Sequence, residues 1–245
     1  MTYCLAIKVD SGLVFASDTR TNAGMDQISS YSKMYAFSSG DDRTFVLLSS
    51  GNLATTQGVV NHIRRDLYDP DSKKGIKVYD HLFDVAEYIG DLTRHVEGRD
   101  STSQRQGGNV NLDASFIFGG QIGDQEHEIF LIYPEGNYIS VSPTKPYLQI
   151  GETKYGKPIL DRVINPTTSL EDAARCALVS LDSTMRSNLS VGPPFELAIY
   201  ERGHFKLSHH LTLDVESPLY QAMTQGWSDG LKQAFHQLPR FEWEE

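Results

Sequence analysis

The sequence predicts an α+β fold in which two antiparallel sheets stack face to face and helices cover their outer faces. Three observations support this prediction: many short apolar segments bounded by turn residues, five segments with helical apolar spacing, and the order in which they occur. That order is strands, two helices, strands, two helices, strands and a final helix. Because both faces of each sheet then need an apolar cover, two sheets between two helix layers satisfy the order.

The chain begins with a predicted β-hairpin. Residues 5–9 and 13–17 are short apolar strands joined by the turn Asp10-Ser11-Gly12. Asp18 follows the second strand directly. The hairpin therefore returns Asp18 to the neighbourhood of Thr2.

The rest of the chain alternates strand and helix patterns. Further strands are predicted at residues 33–37, 44–49, 114–118, 129–133, 138–141, 148–150, 195–200 and 204–208. Helices are predicted at residues 53–68, 78–96, 158–164, 170–185 and 217–235. Ser169 is a predicted N-cap, because its hydroxyl can accept from a backbone N–H in the first helical turn. The polar segments 22–32 and 99–111 are predicted loops, the first with a short strand near Gln27 and Ile28.

Composition favours one acidic globular domain. Of the 245 residues, 39% are hydrophobic, enough for a substantial core, and no linker of biased composition divides them. We therefore expect a single domain over residues 1–245, with residues 215–245 as a carboxy-terminal helical extension. The formal net charge of −10 argues against nucleic acid and anionic membranes as partners, because both would repel the protein.

Cysteine usage and hydropathy predict a cytoplasmic protein. Cys4 lies in an apolar strand and Cys176 in a helical pattern, so buried thiols are expected rather than a disulfide. The first residues show no secretory signal, and no apolar run approaches the roughly 18 residues that would span a bilayer. Neither Glu126-His127-Glu128 nor His209-His210 is expected to bind a metal, since neighbouring strand residues point to opposite faces. No metal or cofactor is expected.

The amino end carries a candidate nucleophile. If Met1 is removed, Thr2 bears a hydroxyl and a free α-amine that can accept the hydroxyl proton. The amine has a reference pKa of roughly 7.7–8.0, and a nearby cation increases its neutral fraction at pH 7. Lys33 is the candidate cation, and Asp18 would hold it charged and in position. Gly51 lies between a strand and a helix, where a backbone N–H can stabilise the developing oxyanion.

Each of these residues has an ordinary structural explanation when it is taken singly. Threonine after the initiator methionine is common, and an aspartate at a strand end is usually a turn residue. The combination of Thr2, Asp18 and Lys33 is much less easily produced by chance. Removal of Met1 before a residue as small as threonine is expected in a cell.

Five segments of the chain resemble matching segments of proteasome β-type subunits. They are Thr2, Ala16-Ser17-Asp18-Thr19-Arg20, Lys33, Ser50-Gly51-Asn52-Leu53-Ala54 and Ser187-Asn188-Leu189-Ser190-Val191-Gly192. The resemblance covers nearly the whole chain, up to about Leu207, and is strongest to the bacterial ancestral β-subunit group, called Anbu. Members of this family are amino-terminal-nucleophile (Ntn) hydrolases, so the resemblance implies a four-layer αββα sandwich.

The resemblance also implies roles for individual residues. Thr2 would be the nucleophile, Asp18 and Lys33 its activating pair, and Gly51 the oxyanion donor. Ser190 would lie near the amine. The pocket for substrate is expected to be lined by Ser49, Leu53 and Thr21.

Three positions depart from the family pattern. Ser187 stands where the family has an aspartate, which removes one charged partner of the amine. In the stretch Ile150-Gly151-Glu152-Thr153, either Glu152 or Thr153 stands where the family has a hydroxyl. The interval from Asp18 to Lys33 is one residue shorter than usual.

Two functions follow from these residues. The first is a threonine peptidase or amidohydrolase that cleaves amide bonds of a peptide or protein substrate through an acyl-enzyme on Thr2. The second is an inactive or weakly active scaffold of the same fold, which Ser187 favours. In either case the resemblance implies a homo-oligomeric ring or spiral.

Overall fold

Two five-stranded antiparallel sheets form the centre of the protein. The computed structural model describes residues 2–22, 28–103 and 111–244, so Met1 and Gln27 lie outside the described residues. The first sheet has the strand order β10 (Tyr147–Gly151), β1 (Tyr3–Val9), β2 (Gly12–Asp18), β11 (Phe195–Glu201), β12 (Leu207–Leu213). The second has the order β5 (Met34–Ser38), β6 (Arg43–Gly51), β7 (Ala114–Ile122), β8 (Glu128–Ile132), β9 (Tyr138–Ser140). A separate ribbon pairs β3 (Arg20–Asn22) with β4 (Ile28–Ser30).

Helices cover the outer face of each sheet. They are α1 (Leu53–Tyr68), α2 (Leu82–Ser103), α3 (Lys157–Val163), α4 (Leu170–Ser187) and α5 (Pro218–His236). Helices α1 and α2 share one apolar core with the second sheet, and α3 and α4 share another with the first. A third core lies between the two sheets. The predicted αββα sandwich is therefore confirmed.

Strand β1 shows how the sequence builds these layers. Tyr3, Leu5 and Ile7 belong to the core under α4, whereas Cys4 and Ala6 belong to the core between the sheets. Successive residues of a strand point to opposite faces, and both faces of this strand are covered. An uninterrupted apolar run is the expected result.

Two helices begin at side-chain caps. The Asn52 side chain accepts from the N–H groups of Ala54 and Thr55, at 3.0 and 3.2 Å, and so fixes the start of α1 directly after β6. Ser169 Oγ accepts from the Asp172 N–H at 3.1 Å at the start of α4, which confirms the predicted cap.

Helix α2 and strand β12 depart furthest from their predicted bounds. Helix α2 begins at Leu82 rather than at residue 78, because Arg43 Nη1 donates to the carbonyls of Lys77 and Tyr79 and holds that segment in turns. The same helix runs on to Ser103 through the first part of the predicted loop 99–111. Strand β12 covers Leu207–Leu213 rather than residues 204–208, because Phe205 adopts a φ of 50° and extends the preceding turn.

The carboxy-terminal helix α5 is anchored by a single buried side chain. The Tyr220 hydroxyl donates to Asp182 Oδ1 of α4 at 2.8 Å, and its ring lies 5.6 Å from that of Phe195. Cys4 and Cys176 are buried free thiols, as predicted. Within the described residues, every helix is too short or too polar to cross a membrane.

Candidate active site

The β1–β2 hairpin places Asp18 beside the start of the chain. Cys4 pairs with Ser17, so Asp18 comes to lie opposite Tyr3. The Tyr3 N–H donates to Asp18 Oδ1 at 3.0 Å, and Asp18 is fully buried. The carboxylate is thereby fixed one residue away from Thr2, as the hairpin predicts.

Lys33 reaches the same carboxylate from the second sheet. It lies immediately before β5, and its carbonyl accepts from the Ser49 N–H at 2.9 Å. Its ammonium donates to Asp18 Oδ1 and to the Arg20 carbonyl, both at 2.7 Å. The ion pair is 8% exposed at Lys33 and 0% at Asp18. Because an ammonium has three donors, one remains beyond these two contacts.

Opposing effects act on the pKa of the Asp18 carboxyl. Burial raises the pKa of the Asp18 carboxyl, while the Lys33 ammonium and the N–H groups of Tyr3 and Gly192 oppose that rise. The Gly192 N–H donates to Asp18 Oδ2 at 3.3 Å. Both carboxylate oxygens are therefore bonded, which fixes the position of the Lys33 ammonium.

Thr2 is held in place from the other side by the end of β10. The Glu152 N–H donates to the Thr2 carbonyl at 2.7 Å. Gly151 makes this contact possible: its φ is 83°, and a Cβ there would lie 1.9 Å from the Thr2 carbonyl oxygen. The Thr2 backbone is thus fixed between Asp18 and Glu152, and the residue is half-buried.

Gly51 occupies the junction between β6 and α1. Its φ is 107°, and a Cβ would lie 2.2 Å from the Asp113 carbonyl oxygen, so only glycine fits without displacement. The N-cap of α1, Asn52, follows at once. A helix amino terminus carries partial positive charge, which favours a negative oxygen near this junction.

These residues surround one open cleft of about 320 Å³. Its lining includes six of the residues that the sequence assigns to the site: Thr2, Thr21, Lys33, Ser49, Gly51 and Leu53. Asp18 lies behind Lys33 in the protein interior. Ser187 and Ser190 are not part of the lining.

The loop that follows α4 contains both of these serines. Ser187 is the last residue of α4 and is exposed. Ser190 donates its hydroxyl to Asn188 Oδ1 at 2.6 Å and is half-buried. The Arg20 guanidinium donates to the Leu189 carbonyl at 2.7 Å. The loop therefore lies beside the Asp18–Lys33 pair, while the Ser187 side chain is exposed to solvent.

Comparison with known proteins identifies the family. Residues 2–200 match the family model described as "Proteasome subunit". The chain belongs to the proteasome subunit family. A comparison with curated proteins gave no significant match.

Solved structures of proteasome-family proteins show which group within the family this chain resembles. The ancestral β-subunit (Anbu) of Yersinia bercovieri is 40% identical, with a TM-score of 0.91 and full coverage of both chains. Anbu from Hyphomicrobium sp. strain MC1 is 41% identical, with a TM-score of 0.89, and the match covers 98% of this chain and 100% of that one. The structure described as the helical assembly of the Anbu complex from Pseudomonas aeruginosa is 41% identical, with a TM-score of 0.92 and 99% coverage of each chain. The resemblance to the Anbu group is confirmed.

Sequence reasoning assigned no role to several residues of this proteasome-family site. Arg20 and Ser32 line the cleft, and Asn188 connects Ser190 to Glu152. Arg20 lies in a segment that carries the family resemblance, which was the available signal. The contact between Asn188 and Glu152 joins residues 36 positions apart, and no sequence pattern indicates it.

The histidines lie outside the cleft. His127 is buried and its Nε2 lies 2.8 Å from the Val9 carbonyl, at the other end of β1. His209 and His210 are exposed on β12. Within the described residues, no three His, Cys, Asp or Glu side chains converge as a metal site would require.

Proposed function

We propose that this proteasome-family subunit is a threonine peptidase or amidohydrolase once Met1 has been removed. One observation carries the proposal: a single buried carboxylate, Asp18, bonds both the Tyr3 N–H and the Lys33 ammonium. Thr2 and Lys33 also line the same cleft. This arrangement suits an amino-terminal nucleophile whose base is its own α-amine.

The proposed reaction uses both the hydroxyl and the α-amine of Thr2. The hydroxyl proton passes to the neutral α-amine while the oxygen bonds to the substrate carbonyl carbon. The ammonium then gives that proton to the leaving nitrogen as the amide bond breaks, and water hydrolyses the resulting ester. Lys33 favours the neutral amine at the start, because a nearby cation disfavours a second one. The Asp18 contact keeps Lys33 in place throughout.

The cleft supplies the remaining groups. The proposed oxyanion donor is the backbone at Gly51, where the amino terminus of α1 adds a favourable dipole. A peptide segment of the substrate would lie along Thr21, Ser49 and Leu53. Support for these roles comes from the shared lining of one cleft with Thr2.

A covalent probe tests the proposal. Native protein is incubated with an electrophile that reacts with amino-terminal threonine, and the modified residue is located by mass spectrometry. We expect the adduct on Thr2 only in protein whose intact mass shows loss of Met1. Thr2→Ala should remove the adduct, while Thr167→Ala, an exposed threonine before α4, should retain it. Mature protein that stays unlabelled would contradict the proposal.

One observation favours the alternative of an inactive or weakly active scaffold. Ser187, which stands where the family has an aspartate, is exposed and lies outside the cleft lining. A scaffold would assemble normally yet fail to react with the probe. The same experiment therefore separates the two functions.

Assembly and compartment are also part of the proposal. The Pseudomonas aeruginosa relative is described as a helical assembly, and we propose a homo-oligomeric ring or spiral here. Residues 215–245 are proposed as a helical extension that contributes to the subunit contacts, because large apolar side chains are exposed on it. The two free, buried thiols suit the reducing cytoplasm.

A further inference from the structure

Glu152 is a buried carboxylate beside the proposed nucleophile. Tyr3 pairs with Gly151 across β1 and β10, so Thr2 and Glu152 are the next opposite positions. The Glu152 N–H donates to the Thr2 carbonyl at 2.7 Å, which confirms that the two backbones adjoin there. Glu152 is only 8% exposed.

The negative charge of Glu152 is only weakly compensated. Its Oε1 lies 3.7 Å from the Lys154 ammonium, and the Lys154 side chain is 78% exposed. An exposed ammonium at that distance is screened by water and contributes little. Glu152 Oε2 accepts from Asn188 Nδ2 at 3.0 Å, a neutral donor. A carboxylate in this position favours positive charge on nearby groups.

The Asn188 side chain connects Glu152 to the loop after α4. Its Oδ1 accepts from the Ser190 N–H at 3.0 Å and from the Ser190 hydroxyl at 2.6 Å. The same loop donates the Gly192 N–H to Asp18. Glu152 therefore holds one end of this loop through Asn188, and Asp18 holds the other end through Gly192. Thr2 lies beside both residues, because its carbonyl accepts from the Glu152 N–H and the N–H of the next residue, Tyr3, donates to Asp18.

We infer that Glu152 is a positioning residue for the Thr2 amine. Its carboxylate holds the loop through Asn188 and supplies negative charge on the β10 side of Thr2. Lys33 supplies positive charge on the other side. The inference rests on the proposed function, since a positioned amine matters only for an amino-terminal nucleophile.

Other charges contribute to the field at Thr2. Among residues 2–22, 28–103 and 111–244, the charged side chains that border Thr2 or contact Glu152 are Asp18, Lys33, Arg20 and Lys154. All four remain unchanged in a Glu152→Gln variant. A difference between variant and wild type therefore reports the Glu152 charge itself.

The experiment measures the α-amine directly, so it does not depend on catalysis. Protein whose intact mass shows Thr2 at its amino terminus is acylated at a series of pH values. The fraction modified at the α-amine gives its pKa. We expect the pKa in Glu152→Gln to fall by about half a unit or more, because loss of a nearby negative charge disfavours the ammonium. Because a lower pKa leaves more of the amine neutral at pH 7, reaction of Thr2 with the electrophilic probe should quicken by up to about threefold.

Two further variants serve as controls. Glu171→Gln makes the same change at an exposed position of α4 and should match the wild type. Adding Asn188→Asp to Glu152→Gln returns a carboxylate to the same contact and should restore the α-amine pKa. The thermal midpoint of each variant detects unfolding.

An unchanged α-amine pKa in Glu152→Gln would overturn the inference, whatever happened to the probe rate. A slower probe reaction without that shift would mark Glu152 as structural only. Failure of the proposed function looks different, because mature wild-type protein would then not react with the probe at all.

Discussion

The Lys33 ammonium lies 2.7 Å from Asp18 Oδ1, in an ion pair that joins the second sheet to the amino end of the first. Removing one member of such a buried pair leaves the other charge uncompensated, at a cost of about 3–5 kcal/mol. The geometry therefore links the stability of the sandwich to the proposed activation of Thr2. Variants of Lys33 and Asp18 therefore test both the free energy of unfolding and the reactivity of Thr2.

Lys33→Met should abolish the activation and weaken the fold. We expect the probe reaction at Thr2 to slow at least about 100-fold, because the amine loses its neighbouring cation. The free energy of unfolding in urea should fall by about 3 kcal/mol or more. Adding Asp18→Asn should recover stability but not reactivity. Lys157→Met, which breaks an exposed pair with Asp161, should change stability by less than about 1 kcal/mol. A Lys33→Met protein that reacted at the wild-type rate would exclude Lys33 from activation.

Gly151→Ala should displace Thr2. The new Cβ would lie 1.9 Å from the Thr2 carbonyl oxygen, so the Glu152 contact must break. Gly203→Ala is a matched control, because Gly203 has a similar φ of 79° and no atom within 4 Å of the added Cβ. Both variants lose roughly 1–2 kcal/mol to backbone strain. Only Gly151→Ala should also lose most of the probe reaction. Equal probe rates in the two variants would show that the Thr2 position does not depend on this contact.

Because the Tyr3 phenol is buried, we expect the protein to lose stability at alkaline pH. Burial raises the pKa of Tyr3 from 10.0 to about 12, against hydrogen bonds with Ser180 and Gln149. The folded state therefore keeps the phenol proton between about pH 10 and 12, whereas the unfolded state loses it. Stability from this group is fully present below pH 10 and falls as pH rises toward 12. Relative to Tyr3→Phe, the wild type should lose about 2 to 3 kcal/mol over that range. Urea unfolding at several pH values measures the difference, and a constant difference would refute the assignment.

Aromatic side chains of the tail should mediate assembly. Phe235 and Trp243 are 70% and 76% exposed, and aromatic residues are enriched in interface cores. The double change Phe235→Ser and Trp243→Ser should cost about 2 kcal/mol or more of association energy. The mass measured by light scattering should then fall toward that of a single chain. Tyr68→Ser removes an equally exposed aromatic at the end of α1 and should leave the mass unchanged. An unaltered mass in the double variant would place the contacts elsewhere.

Local patterns predicted most of the secondary structure. Helix α1 has the predicted bounds, 53–68, because Asn52 caps its start and Asp69-Pro70 ends its periodic segment. The start of α2 was missed for the opposite reason. Its preceding turns depend on Arg43, which lies far away in the sequence and bonds carbonyls at residues 77 and 79. A pattern read along the chain contains no information on such a contact.

The candidate site residues also divide into those that a local pattern predicts and those that depend on contacts between distant segments. The hairpin predicts that Thr2 and Asp18 lie close together, and the strand–helix junction predicts the position of Gly51, because both are local patterns. The contact from Glu152 to Asn188 was not found, since it joins the end of β10 to the loop after α4.

By itself, the sequence determined the layered sandwich, the buried thiols and the grouping of Thr2 with Asp18, because strand and helix periodicity and a short hairpin act over few residues. Only the tertiary structure decided which sheet supplies Lys33, that Ser187 is exposed, and that Glu152 adjoins Thr2. These features depend on how two sheets and the loop after α4 pack, and packing between distant segments is set by the whole core rather than by any local pattern.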